Sequence, residues 1–205
     1  MKLTSETKIF IYIFAASAIF IGIAAYAFTR PAKPIAKEKL VTSTAASTGT
    51  KDAEHFLVEF SDFQCPACQA FSIEVDKLAE IYPDDLLIVY RHFPLPQHEF
   101  AQGAAIAAEA AGVQGKFWEM NKLLFKNQNN LSEDKYISLA TDLELDLDKF
   151  NSSRKDKNII QKIQTDKAYA NIIGVNSTPT FYLDGIKLQL NTPEDLTKQV
   201  EEVLK

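Results

Sequence analysis

The sequence predicts an α/β domain interrupted by a block of helices and preceded by an N-terminal transmembrane helix. Three observations carry that expectation. Apolar, strand-like runs alternate with helical periodicity from Phe56 to Tyr90 and return after Thr180, whereas the pattern from His98 to Ile173 is helical almost throughout. The third is the run from Ile9 to Phe28, which contains no charged residue.

Residues 1–8 form a short basic leader carrying Lys2 and Lys8. Residues 9–28 are long enough to cross a bilayer core of ~30 Å as a helix and are expected to be a retained anchor; Ala25-Tyr26-Ala27 offers the alternative of a cleaved signal. Arg30, Lys33, Lys37 and Lys39 follow the span, so a simple count of positive charges favours a cytoplasmic domain. A short basic leader before an apolar span nevertheless exports long domains largely regardless of charge, so the domain is expected outside the cytoplasm. Residues 29–51 are rich in Ala, Thr, Ser, Lys and Pro and read as a flexible tether, with the folded domain spanning 52–205.

In that domain Phe56 to Ser61 is a buried strand, Asp62-Phe63-Gln64 a turn, and Pro66 fits the first position of a helix carrying Phe71, Val75, Leu78 and Ala79 on its apolar side. Pro83-Asp84-Asp85 ends it, and Leu86 to Tyr90 is a second strand, parallel to the first through a right-handed crossover. A helical insertion covers about 96–155, with Ser132 a fitting N-cap. A further helix leads to Gly174, and Thr180 to Leu183 and Ile186 to Leu190 form a hairpin around Asp184-Gly185. Thr192 and Pro193 open a last helix with Leu196, Val200 and Val203 on its apolar side. With the inserted helices removed, the order is that of a thioredoxin fold.

Cys65 and Cys68 are the only cysteines, both in one motif, so no structural disulfide is available and dithiol chemistry is indicated. A thiolate at a helix entrance meets unpaired backbone N–H groups and the positive end of the helix dipole, which lowers its pKa. The net charge of -5 argues against general nucleic-acid binding, which needs a basic surface. Glu59 stands out on an otherwise apolar strand, because a buried carboxylate is costly unless it serves something.

Four segments together resemble the DsbA-like branch of the thioredoxin superfamily, of the membrane-anchored BdbD-like type. They are Glu59-Phe60-Ser61-Asp62-Phe63-Gln64-Cys65-Pro66-Ala67-Cys68, Tyr90-Arg91-His92-Phe93-Pro94-Leu95-Pro96, Gly115-Lys116-Phe117-Trp118 and Gly174-Val175-Asn176-Ser177-Thr178-Pro179-Thr180-Phe181. The resemblance covers nearly all of Glu54 to Lys205. It implies a periplasmic or extracellular thiol-disulfide oxidoreductase with no cofactor beyond its own cysteine pair, acting on cysteine-containing exported proteins and reoxidised by a membrane partner.

Carried over position by position, Cys65 is the exposed attacking cysteine and Cys68 its buried resolving partner. Pro179 is the cis-proline packed against them, and Thr178 offers its backbone to an extended client peptide beside Pro66 and Ala67. Glu59 matches an acidic residue that accepts the proton of the buried thiol. Ala67 departs from the best-known oxidase pattern, which has a histidine there, so a less oxidising potential is expected. Strong oxidase and thioredoxin-like reductant lie ~150 mV apart, roughly 7 kcal/mol for two electrons.

Two other readings stay open at this stage. One is a reductase or isomerase of the same fold. The other is a binding module whose cysteines hold zinc with His55, His92 or His98, disfavoured because no His-x-x-x-His pair follows, so no metal ligand is assigned. His92 and His98, near the end of the second strand, are read as structural.

Overall fold

The computed structural model describes residues 4–29 and 33–205. The start of the basic leader and residues 30–32 of the expected tether lie outside the described residues. The chain divides into two compact units, Met1–Lys33 and Pro34–Lys205. In the first, α1 (Ser5–Thr29) is a helix of 25 residues. Among the described residues, no helix is long and apolar enough to cross a membrane, so the fold gives the expected transmembrane segment no support.

The second unit begins well before residue 52, which corrects the expectation of a tether over 29–51. Its first elements are α2 (Lys37–Leu40) and β1 (Ala46–Thr48), followed by β2 (His55–Ser61), α3 (Pro66–Ile81) and β3 (Leu86–His92). Leu40 is fully buried, and β1 pairs antiparallel with β3, Ala46 facing Tyr90 and Thr48 facing Ile88. Composition misleads here because an edge strand is held by backbone hydrogen bonds, which small polar residues make as well as large apolar ones.

Four helices follow: α4 (Ala101–Gly112), α5 (Phe117–Lys126), α6 (Glu133–Asp142) and α7 (Leu147–Ser153). Then come α8 (Lys157–Ile172), β4 (Thr180–Leu183), β5 (Ile186–Lys187) and α9 (Pro193–Val203). Among the described residues five strands make one mixed sheet, ordered β1-β3-β2-β4-β5, with β2 and β3 parallel. The hairpin forms at Asp184-Gly185, both with positive φ as the tight turn requires. Its second strand is shorter than expected, because pairing stops at Lys187.

Strand β2 is buried on both faces, which is why it reads as a continuous apolar run. Phe56, Val58 and Phe60 pack with Leu40, Leu87, Val89, Ala170 and Tyr182, while Leu57 packs with Val75, Leu78, Ile88, Phe181, Leu196 and Val200. The buried alanines of α4 let it pack closely with α5 and α8, and this third cluster reaches Phe63, Cys65, Cys68 and Tyr90. The inserted helices thus share one core with the cysteine pair.

Helix ends are fixed locally. Ser132 accepts from the Lys135 N–H at 3.1 Å, and Asp146 and Asp156 cap α7 and α8 in the same manner. Between the sheet and α8, Arg91 Nε donates to Asp166 at 2.6 Å and its Nη1 to the Leu40 carbonyl at 2.8 Å, all within the interior.

Candidate active site

The site is built where β2 ends and α3 begins. Asp62 turns the chain: its carbonyl accepts from the Cys65 N–H at 3.1 Å, and its buried carboxylate accepts from Gln64 N–H at 2.7 Å, Leu95 N–H at 2.7 Å and His98 Nδ1 at 2.8 Å. One carboxylate therefore ties the turn before the cysteines to the loop after β3. Cys65 is the N-cap residue of α3, with Pro66 in the first turn, where the lost N–H has no helical partner to miss. From the inserted helices, Gln128 donates to the carbonyls of both Phe63 and Cys65 at 2.9 Å.

Both cysteines are free thiols. Cys65 is 7% exposed and Cys68 fully buried, so the expectation of an openly exposed Cys65 is corrected: its sulfur is recessed against the loop before β4. In that loop the Thr178–Pro179 bond is cis, and the Cys65 thiol donates to the Thr178 carbonyl at 3.4 Å. The Cys68 thiol, as hydrogen-bond donor, is the main influence lowering Cys65 from 9.0 to about 5. Burial opposes this, while Thr178 and the N–H groups of Cys68 and Ala67 add to the lowering. The buried Thr178 hydroxyl makes no other hydrogen bond among the described residues, so it is available to a thiolate. Cys68 moves the other way, held well above the ordinary thiol range by burial and then by its neighbour Cys65.

Beneath the pair lies Glu59, 2% exposed and raised to about 7, chiefly by burial. The nearby Ser61 hydroxyl offsets part of that rise, and the charges of Asp76 and Cys65 add to it.

The three histidines are engaged separately. His55 pairs with Asp184 at 2.7 Å, His92 with Glu109 at 2.8 Å and His98 with Asp62 at 2.8 Å. Among the described residues, no group of three or more His, Cys, Asp and Glu side chains is placed to hold a metal ion.

Two grooves flank the Thr178–Pro179 peptide and share Ser177 in their walls. One, of about 360 Å³, is lined by Ala67, Phe71, Pro179, Phe181, Leu188 and Leu190. The other, of about 620 Å³, is lined by Phe93, Leu95, Pro96, Val175 and Thr178. The structure thus brings Cys65, Pro66, Ala67, Thr178 and Pro179 together, with Cys68 and Glu59 buried behind them. Sequence reasoning missed Asp62, Gln128 and Ser61. Only Ser61 carried a local signal, since it is two residues from Glu59 on one strand and so shares its face.

A thioredoxin family model matches residues 41–202. The chain belongs to the thioredoxin family. Its structural neighbours include DsbA-type proteins. It superposes on the thiol-disulfide exchange protein alpha-DsbA2 of Wolbachia pipientis with a TM-score of 0.73 and 22% identity, over 82% of this chain and 91% of that one. A thioredoxin-like oxidoreductase from Silicibacter pomeroyi gives 0.71 and 25%, over 82% and 98%. Oxidised BdbD of Bacillus subtilis gives 0.69 and 17%, over 85% and 99%.

Curated relatives include the Na(+)/H(+) antiporter NhaA 1 of Mycolicibacterium vanbaalenii, 37% identical over 142 residues, and that of Salinispora arenicola, 39% identical over 138 residues. These matches cover 68% and 67% of this chain but only 23% and 21% of the antiporters, so the chain spans under a quarter of their length.

Proposed function

We propose that this thioredoxin-family protein is a thiol-disulfide oxidoreductase that oxidises cysteine pairs in exported proteins. The observation that carries the reading is the recessed Cys65 sulfur, at the start of α3 and 3.4 Å from the Thr178 carbonyl, with Cys68 as its buried neighbour. Cys65 is the attacking and leaving sulfur, Cys68 the resolving one and Glu59 its proton partner. Thr178, Pro179, Pro66 and Ala67 form the client surface.

In the oxidising direction a client thiolate attacks Cys65 Sγ of the Cys65–Cys68 disulfide. That S–S bond breaks, the electron pair goes to Cys68 Sγ, and a proton from Glu59 neutralises it. A second client thiolate then attacks the client sulfur of the mixed disulfide and expels Cys65 as a thiolate. The client is oxidised by two electrons and the protein reduced by two; a membrane partner restores the disulfide. The low pKa of Cys65 supports this direction, because a stabilised thiolate leaves readily and favours the reduced protein. The Ala67 methyl offers no hydrogen bond or charge beyond its backbone N–H, which supports a potential less oxidising than that of the strongest oxidases.

The uncharged run Ile9 to Phe28 supports an extracytoplasmic domain, anchored if the run is retained and secreted if it is cleaved. Resistance of the domain to protease in intact cells, with digestion in spheroplasts, is the expected outcome for an anchored domain outside the cytoplasm of a cell with an outer membrane.

The deciding experiment incubates the oxidised protein with a reduced, unfolded client and reads disulfide formation, alongside equilibrium with glutathione. Rapid client oxidation that is lost in Cys65→Ser supports the reading. A strongly reducing equilibrium with insulin reduction supports a reductase, and stoichiometric zinc without exchange supports a binding module.

A further inference from the structure

We propose that the Ser61 hydroxyl passes the proton moving between Glu59 and Cys68, and that the Tyr90 hydroxyl is a positioning group that holds the Glu59 carboxylate. This rests on the exchange reading of the cysteine pair and extends it.

Among the interior oxygens that make no hydrogen bond among the described groups, three lie together: Glu59 Oε1, Ser61 Oγ and the Tyr90 hydroxyl. Their residues are 2%, 1% and 1% exposed, and Cys68 is fully buried, so bulk solvent does not serve them. An orphaned buried polar atom is rare, and three together call for an explanation. Their positions supply one. Glu59 and Ser61 are two apart on β2 and share a face, and Tyr90 sits directly beside Glu59 in the β2–β3 ladder. Tyr90 packs in the same apolar cluster as Cys68, its ring stacked on Phe63 at 5.2 Å.

Electrostatics agree with the geometry. The Ser61 hydroxyl favours the charged form of Glu59, of Cys68 and of Tyr90, which makes it the common neighbour of all three. Tyr90 itself stays protonated, because burial and the charges of Glu59, Cys68 and Asp62 all oppose its ionisation. Glu59 is also faced by Asp76 from α3 and by Cys65, and its partner on β4, Phe181, is neutral.

When the client breaks the Cys65–Cys68 bond, the Ser61 hydroxyl gives its proton to Cys68 Sγ and takes one from the Glu59 carboxylic acid. Tyr90 donates to the carboxylate left behind. In the reverse direction the Cys68 proton returns along the same path as its sulfur attacks Cys65. No proton is lost from the cluster in either case.

The test follows the resolution of a mixed disulfide between Cys65 and a model peptide across the acidic to alkaline range in Ser61→Ala, Tyr90→Phe and Ser61→Thr. We expect Ser61→Ala to slow the step about tenfold and move its pH midpoint upward, Tyr90→Phe to do the same to a smaller extent, and Ser61→Thr to restore the parent profile. In a Glu59→Gln background neither variant should add to the loss. Unchanged profiles in variants with the parent's melting temperature would overturn the proposal, as would an equal loss in the Glu59→Gln background. Should the parent show no exchange at all, the functional reading fails. The cluster is then read by the infrared carboxylic-acid band of Glu59, whose midpoint must move in Ser61→Ala or in Tyr90→Phe, and stasis in both overturns it.

Discussion

The Cys65 sulfur and the Thr178 carbonyl oxygen are 3.4 Å apart although 113 residues separate them in the chain. The loop before β4 therefore forms one wall of the thiol site, and its side chain adds to the chemistry. The Thr178 hydroxyl helps lower Cys65, and it has no competing partner among the described residues. Thr178→Val keeps the shape and removes that donor. We expect the Cys65 titration midpoint, read from thiolate absorbance, to rise above about 5 while the fold is retained.

The same depressed thiol makes the stability of the reduced protein depend on pH. Cys65 titrates near 9.0 when unfolded and near 5 when folded, so between these values the unfolded chain binds the extra proton. Stability from the thiolate is fully present above the unfolded value and is lost as pH falls toward the folded one. The elevated Cys68 works oppositely only at alkaline pH, where its unfolded form ionises first. Melting temperatures of reduced Cys65→Ser and reduced parent should accordingly converge as pH is lowered from about 9 to about 5. A gap that stays constant across that range would remove the thiolate from the account.

Glu59 has the opposite sign. Its pKa is raised from 4.5 to about 7, so its contribution is fully present below 4.5 and lost as pH rises through 7, where a charge must form in the interior. Glu59→Gln should abolish that dependence and stabilise the protein at alkaline pH by up to ~3 kcal/mol. Catalysis should suffer in the same variant, because amide nitrogen cannot exchange a proton with Cys68; a loss of about 100-fold in the resolving step is expected from stopped-flow kinetics. More stable but slower is the outcome that marks a functional carboxylate.

Gln128 reaches from the inserted helices to two carbonyls of the cysteine turn, at Phe63 and Cys65. Gln128→Ala leaves the Phe63 carbonyl without a partner among the described residues, while the Cys65 carbonyl keeps the Gln69 N–H at 3.2 Å, so the change should cost about 1–2 kcal/mol in urea unfolding. Exchange should slow as well, since the turn loses its tie to the stretch between α5 and α6 and is held by Asp62 and by the Gln64 side chain, which accepts from the Phe100 N–H at 2.8 Å. An unaltered rate at lowered stability would confine Gln128 to a structural part.

What the sequence made legible was chiefly what periodicity and short motifs encode. Phe56 to Ser61, the helix after Pro66 and the Asp184-Gly185 turn each have a local signature, and the Cys-x-x-Cys motif falls at the junction of the first two. Contacts made at long range were not legible. Asp62 looks like an ordinary turn residue until the fold brings Leu95 and His98 to its carboxylate, and Gln128 lies in a short stretch between helices with no pattern of its own. The recession of Cys65 was hidden for the same reason, because the covering loop arrives from over a hundred residues away.

The segment 34–51 shows the cost of reading order from side chains alone. Its strand Ala46–Thr48 completes the edge of β3, Leu40 offers its carbonyl to the buried Arg91, and Ser47 accepts from the Trp118 indole at 3.0 Å. Removing the segment exposes the β3 edge to pairing with other chains, takes one acceptor from a buried guanidinium and uncovers apolar surface at Phe56 and Leu87. Losing a charge-assisted bond, a neutral one and the burial of one leucine amounts to about 4 kcal/mol. A chain beginning at residue 34 should therefore unfold in urea as the full-length domain does, whereas one beginning at residue 52 should unfold at markedly lower urea and tend to aggregate. Equal midpoints for the two chains would mean that the tether reading was right about energy even though the backbone is ordered.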